Sequence, residues 1–157
     1  MKKQKGFTLI ELLIVIGIIA ILASIIYVAV DPARRLGEAR DAQRWSSANS
    51  ILNAVLKFTV DNSGVLPSPL ATTTADLYYV LGTNTSGCDS TCAGQTPQAA
   101  CLNLGHQLVD AYLSAIPVDG LTGSDAKTRY YIKKSANGRI TVGACDQERA
   151  ASISVSR

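Results

Sequence analysis

The stretch FTLIELLIVIGIIAILASIIYVAV, residues 7–30, decides how this chain is built. At about 1.5 Å per residue, a helix over these positions runs roughly 36 Å. That exceeds the ~30 Å hydrocarbon core of a bilayer, so the segment spans it with some tilt. Its only charged side chain is Glu11, and it is preceded by Lys2, Lys3 and Lys5. A cationic flank of this kind stays on the cytoplasmic side and predicts that everything after the span lies outside. These three lysines also account for the whole formal charge of +3, and the remaining cations and anions balance. A chain that is basic only at its first five residues does not have the composition of a nucleic-acid binder.

Two plainer readings of the same stretch compete. A cleaved secretory signal needs an apolar run of 7–15 residues followed by a small-x-small cut site. This run is longer, and its far end, Tyr27-Val28-Ala29-Val30-Asp31-Pro32, is a poor match. A simple uncut membrane anchor fits the hydropathy equally well, and Glu11 is what separates it from a more specialised helix. An acid at a bilayer centre costs about 2.5–3.5 kcal/mol. At roughly 6 Å from the start of the run that cost is reduced by snorkelling but not removed. Glu11 therefore points to a positive partner, met once the helix leaves lipid and packs among other helices.

The stretch Lys5-Gly6-Phe7-Thr8-Leu9-Ile10-Glu11-Leu12-Leu13-Ile14-Val15 resembles the N-terminal signature of type IV pilins and type II secretion pseudopilins. The resemblance implies a prepilin peptidase that cuts between Gly6 and Phe7 and methylates the new amine of Phe7. It further implies that Glu11 pairs with that amine on a neighbouring subunit, fixing axial register in a homo-oligomeric helical filament. The precursor would be a single-pass inner-membrane protein held by lipid, then drawn by pilus or secretion machinery into an extracellular or periplasmic filament. Surface pilus and secretion pseudopilus both stay open, with four cysteines leaning towards the pilus. The apolar run lacks the internal proline that many relatives carry, since Pro32 lies beyond it. The alternative from another class is a monomeric membrane-anchored exoplasmic domain, with an uncut N-terminus and no need of Glu11.

Past the span, Asp31 is a good N-cap and Pro32 suits a first helical position, so the chain either kinks there or breaks and restarts. Trp45, Ala48, Ile51, Leu52, Val55, Leu56 and Thr59 recur at three- and four-residue spacing and mark one buried stripe. Arg44, Ser47, Asn53, Lys57 and Asp61 are assigned to the other side, and Asn62-Ser63-Gly64 supplies the stop. Residues 64–76 read as a loop and Leu77–Leu81 as a short apolar element of open type. Cys101–Ile116 reads as a second helix ended by Pro117. Arg129–Lys134 and Arg139–Ala144 form a hairpin around Asn137-Gly138, with Ser152–Ser156 as a third strand. The expected fold is α+β and pilin-like, a long N-terminal helix packed on a small C-terminal antiparallel sheet. Its divisions are a leader (1–6), a membrane or filament-core helix (7–30), an amphipathic continuation (31–63) and a globular head (64–157).

Cys88, Cys92, Cys101 and Cys145 are even in number and lie in the exported half, which favours two disulfides over a zinc site. The expected pairing is Cys88–Cys92 and Cys101–Cys145. His106 is the lone histidine and has no nucleophile-base companion, so no enzyme is expected and no cofactor is required. Asp119, Thr122 and Asp125 sit in a Gly-containing loop for which the resemblance to secretion pseudopilins implies calcium, against which solvated turn residues are the preferred reading. The basic sets Arg34, Arg35, Arg40, Arg44 and Lys127, Arg129, Lys133, Lys134, Arg139 are read as solvated faces and not as a nucleic-acid surface.

Overall fold

The computed structural model describes residues 6–157. The lysines at positions 2, 3 and 5, and all of the leader except Gly6, lie outside the described residues. The chain divides into two compact units, one ending at Gly37 and the other running from Glu38 to Arg157, and each is taken by itself. The fold is α+β and pilin-like, with a long N-terminal helical run and a small four-stranded antiparallel sheet.

The first unit holds helix α1 (Leu9–Val30), in which no residue is buried. Among the described residues it is the helix long and apolar enough to cross a membrane. At Asp31 the chain breaks and restarts: Asp31 adopts a left-handed conformation (φ 44°) that ends α1. Its carboxylate then accepts the N–H of Arg34 at 3.3 Å as helix α2 (Pro32–Asp61) begins. The aspartate cap and the proline at the first helical position act as their side chains dictate.

Within the second unit, Ala48, Ile51, Leu52 and Val55 of α2 are buried, joined by Ala54. Two assignments on this helix need correction. Trp45 belongs to the expected stripe yet is 38% exposed. Arg44, expected on the wet side, is 3% exposed. Just past the end of α2 Ser63 lies in the left-handed region, with Gly64 N–H donating to Thr59 O at 2.7 Å and Ser63 N–H to Val60 O. This six-to-one and five-to-two pattern satisfies the last carbonyls.

The short helix α3 (Ser68–Ala71) lies in the expected loop, and the undecided apolar element is strand β1 (Tyr78–Val80). The expected helix over Cys101–Ile116 shrinks to one turn, α4 (Gly105–Leu108). Leu102 is instead drawn alongside β1, its N–H donating to Val80 O at 2.8 Å while Gly82 N–H donates to Leu102 O. An exposed strand edge needs backbone partners, and that demand outweighs the helical spacing of Leu104 and Leu108. Both leucines are still buried, so the spacing located core residues while misnaming their backbone.

Strands β2 (Tyr130–Lys134), β3 (Ile140–Ala144) and β4 (Ser154–Ser156) complete a meander in the order β1-β2-β3-β4, all antiparallel. Gly138 (φ 80°) makes the hairpin turn. Alternation then gives the sheet two covered faces. Ile132, Val142, Tyr130 and Ile140 face the stripe of α2, in one core with Leu70, Leu104 and Leu108. Val80 and Tyr131 face a smaller cluster with Cys88, Cys92 and Cys145. Tyr131 is paired across the ladder with Gly143, and a Cβ there would stand 2.6 Å from the Tyr131 ring and 2.5 Å from Ile153 O. Glycine at 143 is thus what lets the ring lie flat on β3.

The cysteines are all bridged, but the pairing is Cys88–Cys101 and Cys92–Cys145, in place of Cys88–Cys92 and Cys101–Cys145. The strand edge again decides. Residues 98–102 run beside β1, with Gln98 N–H to Tyr78 O and Cys88 N–H to Ala99 O, which brings Cys101 to Cys88. Ala93 N–H donates to Cys145 O and fixes Cys92 next to the end of β3. On chain entropy, closures of 13 and 53 residues are worth about 3 and 4 kcal/mol.

Replacing Gly143 by Ala forces the Tyr131 ring off β3 and is expected to destabilise the head by about 1–3 kcal/mol. Thermal unfolding of the full chain in detergent measures this, and an unchanged melting temperature would show that the ring packing is not constrained there.

Candidate functional site

The residues expected to govern processing and assembly are gathered at the start of α1. Gly6 is exposed, and a side chain there would meet nothing within 4 Å. Phe7 is 90% exposed. Thr8 caps the helix: its hydroxyl accepts Glu11 N–H at 3.3 Å, and Glu11 Oε2 reaches back to Thr8 N–H at 2.8 Å and Thr8 Oγ1 at 2.7 Å. This reciprocal capping box satisfies donors that a helix end leaves open. The Thr-x-x-Glu spacing before an apolar run announces it, so Thr8 was readable from sequence as the partner of Glu11. Gly6, Phe7 and Glu11 thus share one short segment, with the acid turned towards Thr8.

In the head, the feature that sequence reasoning missed is the set of contacts around Arg44. Its Nε donates to Asp119 Oδ2 at 2.6 Å, and its Nη1 donates to Asp41 Oδ1 and Glu148 Oε1, each at 2.9 Å. Arg40 adds a two-pronged pair to Glu148 through Nε at 2.6 Å and Nη2. Asp41 also accepts backbone N–H groups from Glu148, Arg149 and Ala150, the last at 2.8 Å. Asp119 accepts those of Leu121 and Thr122. A signal existed, because Arg44 stands four residues before Ala48 and continues the row Ala48, Ile51, Val55 onto the buried side. A charged residue on that row needs counter-charges, and the structure supplies three, the buried Asp41 and Asp119 and the more exposed Glu148.

Burial by itself would raise the carboxyl of Asp41. The N–H groups of Ala150, Glu148 and Arg149, with Arg44, outweigh it and hold the group at about 2. Burial likewise works against Asp119, where Arg44 and then the two loop N–H groups bring it to about 2. Glu148 is brought to about 2 by Arg40 and then Arg44. Burial would lower Arg44, and its three carboxylates instead raise it.

The calcium candidates separate. Asp119 is occupied by Arg44 and backbone N–H groups, with the hydroxyl of Thr122 at 3.1 Å, while Asp125 is exposed. Among the described residues no group of three or more His, Cys, Asp or Glu is placed to hold a metal. His106 is exposed on α4. Much of the second basic set is engaged within the head. Lys127 and Lys134 donate to Gly87 O and Ala71 O, each at 2.7 Å, and Lys133 stands 5.1 Å over the Tyr78 ring. Arg129 forms an ion pair with Asp146 and bonds to Ser90 and Thr91.

Replacing Arg44 by Met leaves buried carboxylates without their cation and is expected to cost about 3–5 kcal/mol, read as a drop in the denaturation midpoint of the full chain in micelles. The acid response follows from the same groups. Carboxyls depressed from 3.8 or 4.5 to about 2 contribute stability that is complete above pH 4.5 and is lost as pH falls towards 2. Near-UV circular dichroism of the wild type should therefore hold to pH 4.5 and fade below it, with Arg44→Met fading at higher pH. Equal acid midpoints for the two proteins would remove Arg44 from this role.

Compared with known proteins, residues 1–27 match a family model described as a prokaryotic N-terminal methylation motif. No curated protein and no solved structure matches the chain. The match covers Gly6, Phe7, Thr8, Glu11 and most of α1. The chain carries the type IV pilin and pseudopilin signature at its N-terminus.

Proposed function

We propose that this chain is a structural subunit of a type IV pilus-like filament, made as a membrane-anchored precursor, cut after Gly6, N-methylated at Phe7 and assembled through α1. The carrying observation is the methylation motif at residues 1–27 leading into a helix that buries none of its side chains. A helix with apolar residues all round requires lipid or other helices around it, and a filament of second copies supplies the latter once the precursor leaves the bilayer. Release of the leader leaves a cationic secondary amine on Phe7, one residue before the Thr8 cap at which Glu11 points. In a dry bundle an unpaired carboxylate is costly, and an amine from a neighbouring copy relieves it.

Processing by a prepilin peptidase and handling by membrane assembly machinery follow from the same motif. A pseudopilin of a type II secretion system shares every one of these features. The two disulfides favour the pilus, because a subunit facing the outside gains most from covalent closure of its exposed loops.

Intact-mass and N-terminal peptide analysis of material from native cells tests the reading. The expected mature chain begins at N-methylated Phe7, and substitution of Gly6 leaves the precursor uncut. Glu11→Ala is expected to be processed but to assemble into few filaments. Surface material that retains residues 1–6 would reduce the protein to a simple anchored domain, and normal filaments from Glu11→Ala would remove the charge pairing.

A further inference from the structure

We infer that a cavity in the head, walled by Leu81, Leu102, Leu104, Val109, Ala115 and Ile116 and lined also by Asp125, is a binding site for a small organic amine with a compact apolar body. Every residue of the site lies in the second unit, and the filament assignment is not needed for it. The space measures about 250 Å3. A cavity of about 150 Å3 lined by aliphatic and aromatic side chains holds benzene, so this one has room for a ring and a short chain. Leu81, Leu102 and Leu104 are buried, Val109 and Ile116 are half-buried and Ala115 is exposed. The apolar walls thus run from the core out to solvent, which gives a ligand both cover and a way in.

Charge identifies the occupant. Asp125 is the one lining residue that carries a charge. Among the described residues no cation pairs with it: Lys127, two positions on, donates to Gly87 O at 2.7 Å, and Arg129 is paired with Asp146. The turn that bears Asp125 is fixed by its backbone. Ser124 and Lys127 exchange hydrogen bonds of 2.9 Å across it, while Thr83 N–H donates to Asp125 O at 3.2 Å and Asn84 N–H to Ala126 O at 3.1 Å. The two segments lie so close that a Cβ on Gly82 would stand 2.3 Å from Ala126 O. A carboxylate on a pinned turn loses little freedom when a ligand arrives. Other polar lining atoms are spent within the head: the Thr128 hydroxyl donates to Leu81 O and accepts Tyr130 N–H, and Asn103 Oδ1 accepts Gly105 N–H. The cavity therefore offers mainly apolar wall and one anion, and an ammonium group on an apolar body meets both at once. A calcium ion would find a single carboxylate among the lining residues, far short of its six to eight oxygens.

The probe is phenethylamine, titrated into the full chain in detergent micelles while the methyl groups of Leu, Val and Ile are followed by NMR. Saturable shifts are expected at Leu81, Leu104, Val109 and Ile116. Phenethyl alcohol, its neutral counterpart, is expected to bind about five- to tenfold more weakly, and Asp125→Asn to bring the amine to the level of the alcohol. Asp125 is exposed, so this variant is expected to keep the methyl spectrum of the wild type in the absence of probe. Ala115→Trp fills the cavity from an exposed position and is expected to abolish the shifts of both probes at an unchanged melting temperature. Equal binding of amine and alcohol, or full amine affinity in Asp125→Asn, would strike out the carboxylate and with it the choice of an amine. Shifts confined to residues 9–30 would be partition into the micelle and would sink the site, as would silent cavity methyls up to the solubility limit of the probe. Shifts that survive Ala115→Trp would place the probe elsewhere and count against the cavity.

Discussion

One buried guanidinium ties together three parts of the head that are remote in sequence. Arg44 from α2 meets Asp119 from a loop before the hairpin and Glu148 from the turn after β3, with Asp41 one helical turn away. An ion pair in a low-dielectric setting is tolerated only when its remaining donors and acceptors are met. Here the backbone N–H groups of residues 121, 122, 148, 149 and 150 meet them. The turn that delivers β4 to the sheet is thus held to the helix by charge, while the sheet interior is held to it by apolar contact. Removing the cation disturbs all three parts at once.

The second organising demand is the open edge of β1. Its backbone groups recruit residues 98–102, which sets the course of the long loop and, through it, which cysteines meet. The bridges then fasten that loop over the outer face of the sheet, where Val80 and Tyr131 would otherwise be wet. A sheet of four short strands gains a second small core in this way, which a domain of this size needs to offset its ordering entropy.

The first unit follows a different economy. Its helix offers apolar side chains on every side, and none of them is buried within the chain. The capping box at Thr8 and Glu11 keeps the one acid hydrogen-bonded to its own helix end. The same acid that is awkward in lipid is useful only where a cation stands near, and the proposed function gives it one in the processed terminus of another copy.

The helix within residues 7–30, an interruption at Asp31-Pro32, the Asn137-Gly138 hairpin and most of the apolar stripe of α2 were legible in the sequence, because each is a local pattern. Span length, cap chemistry, turn preference and helical period act over a few residues and need no partner to be read. Tertiary structure alone decided the disulfide pairing, the course of residues 98–102 beside β1, the burial of Arg44 and the exposure of Trp45. They depend on what stands opposite: a strand edge short of hydrogen bonds, and carboxylates from α2 itself and from two distant loops that converge on Arg44. Sequence spacing records which residues share a face, but only the packed neighbours determine whether that face meets protein, lipid or water.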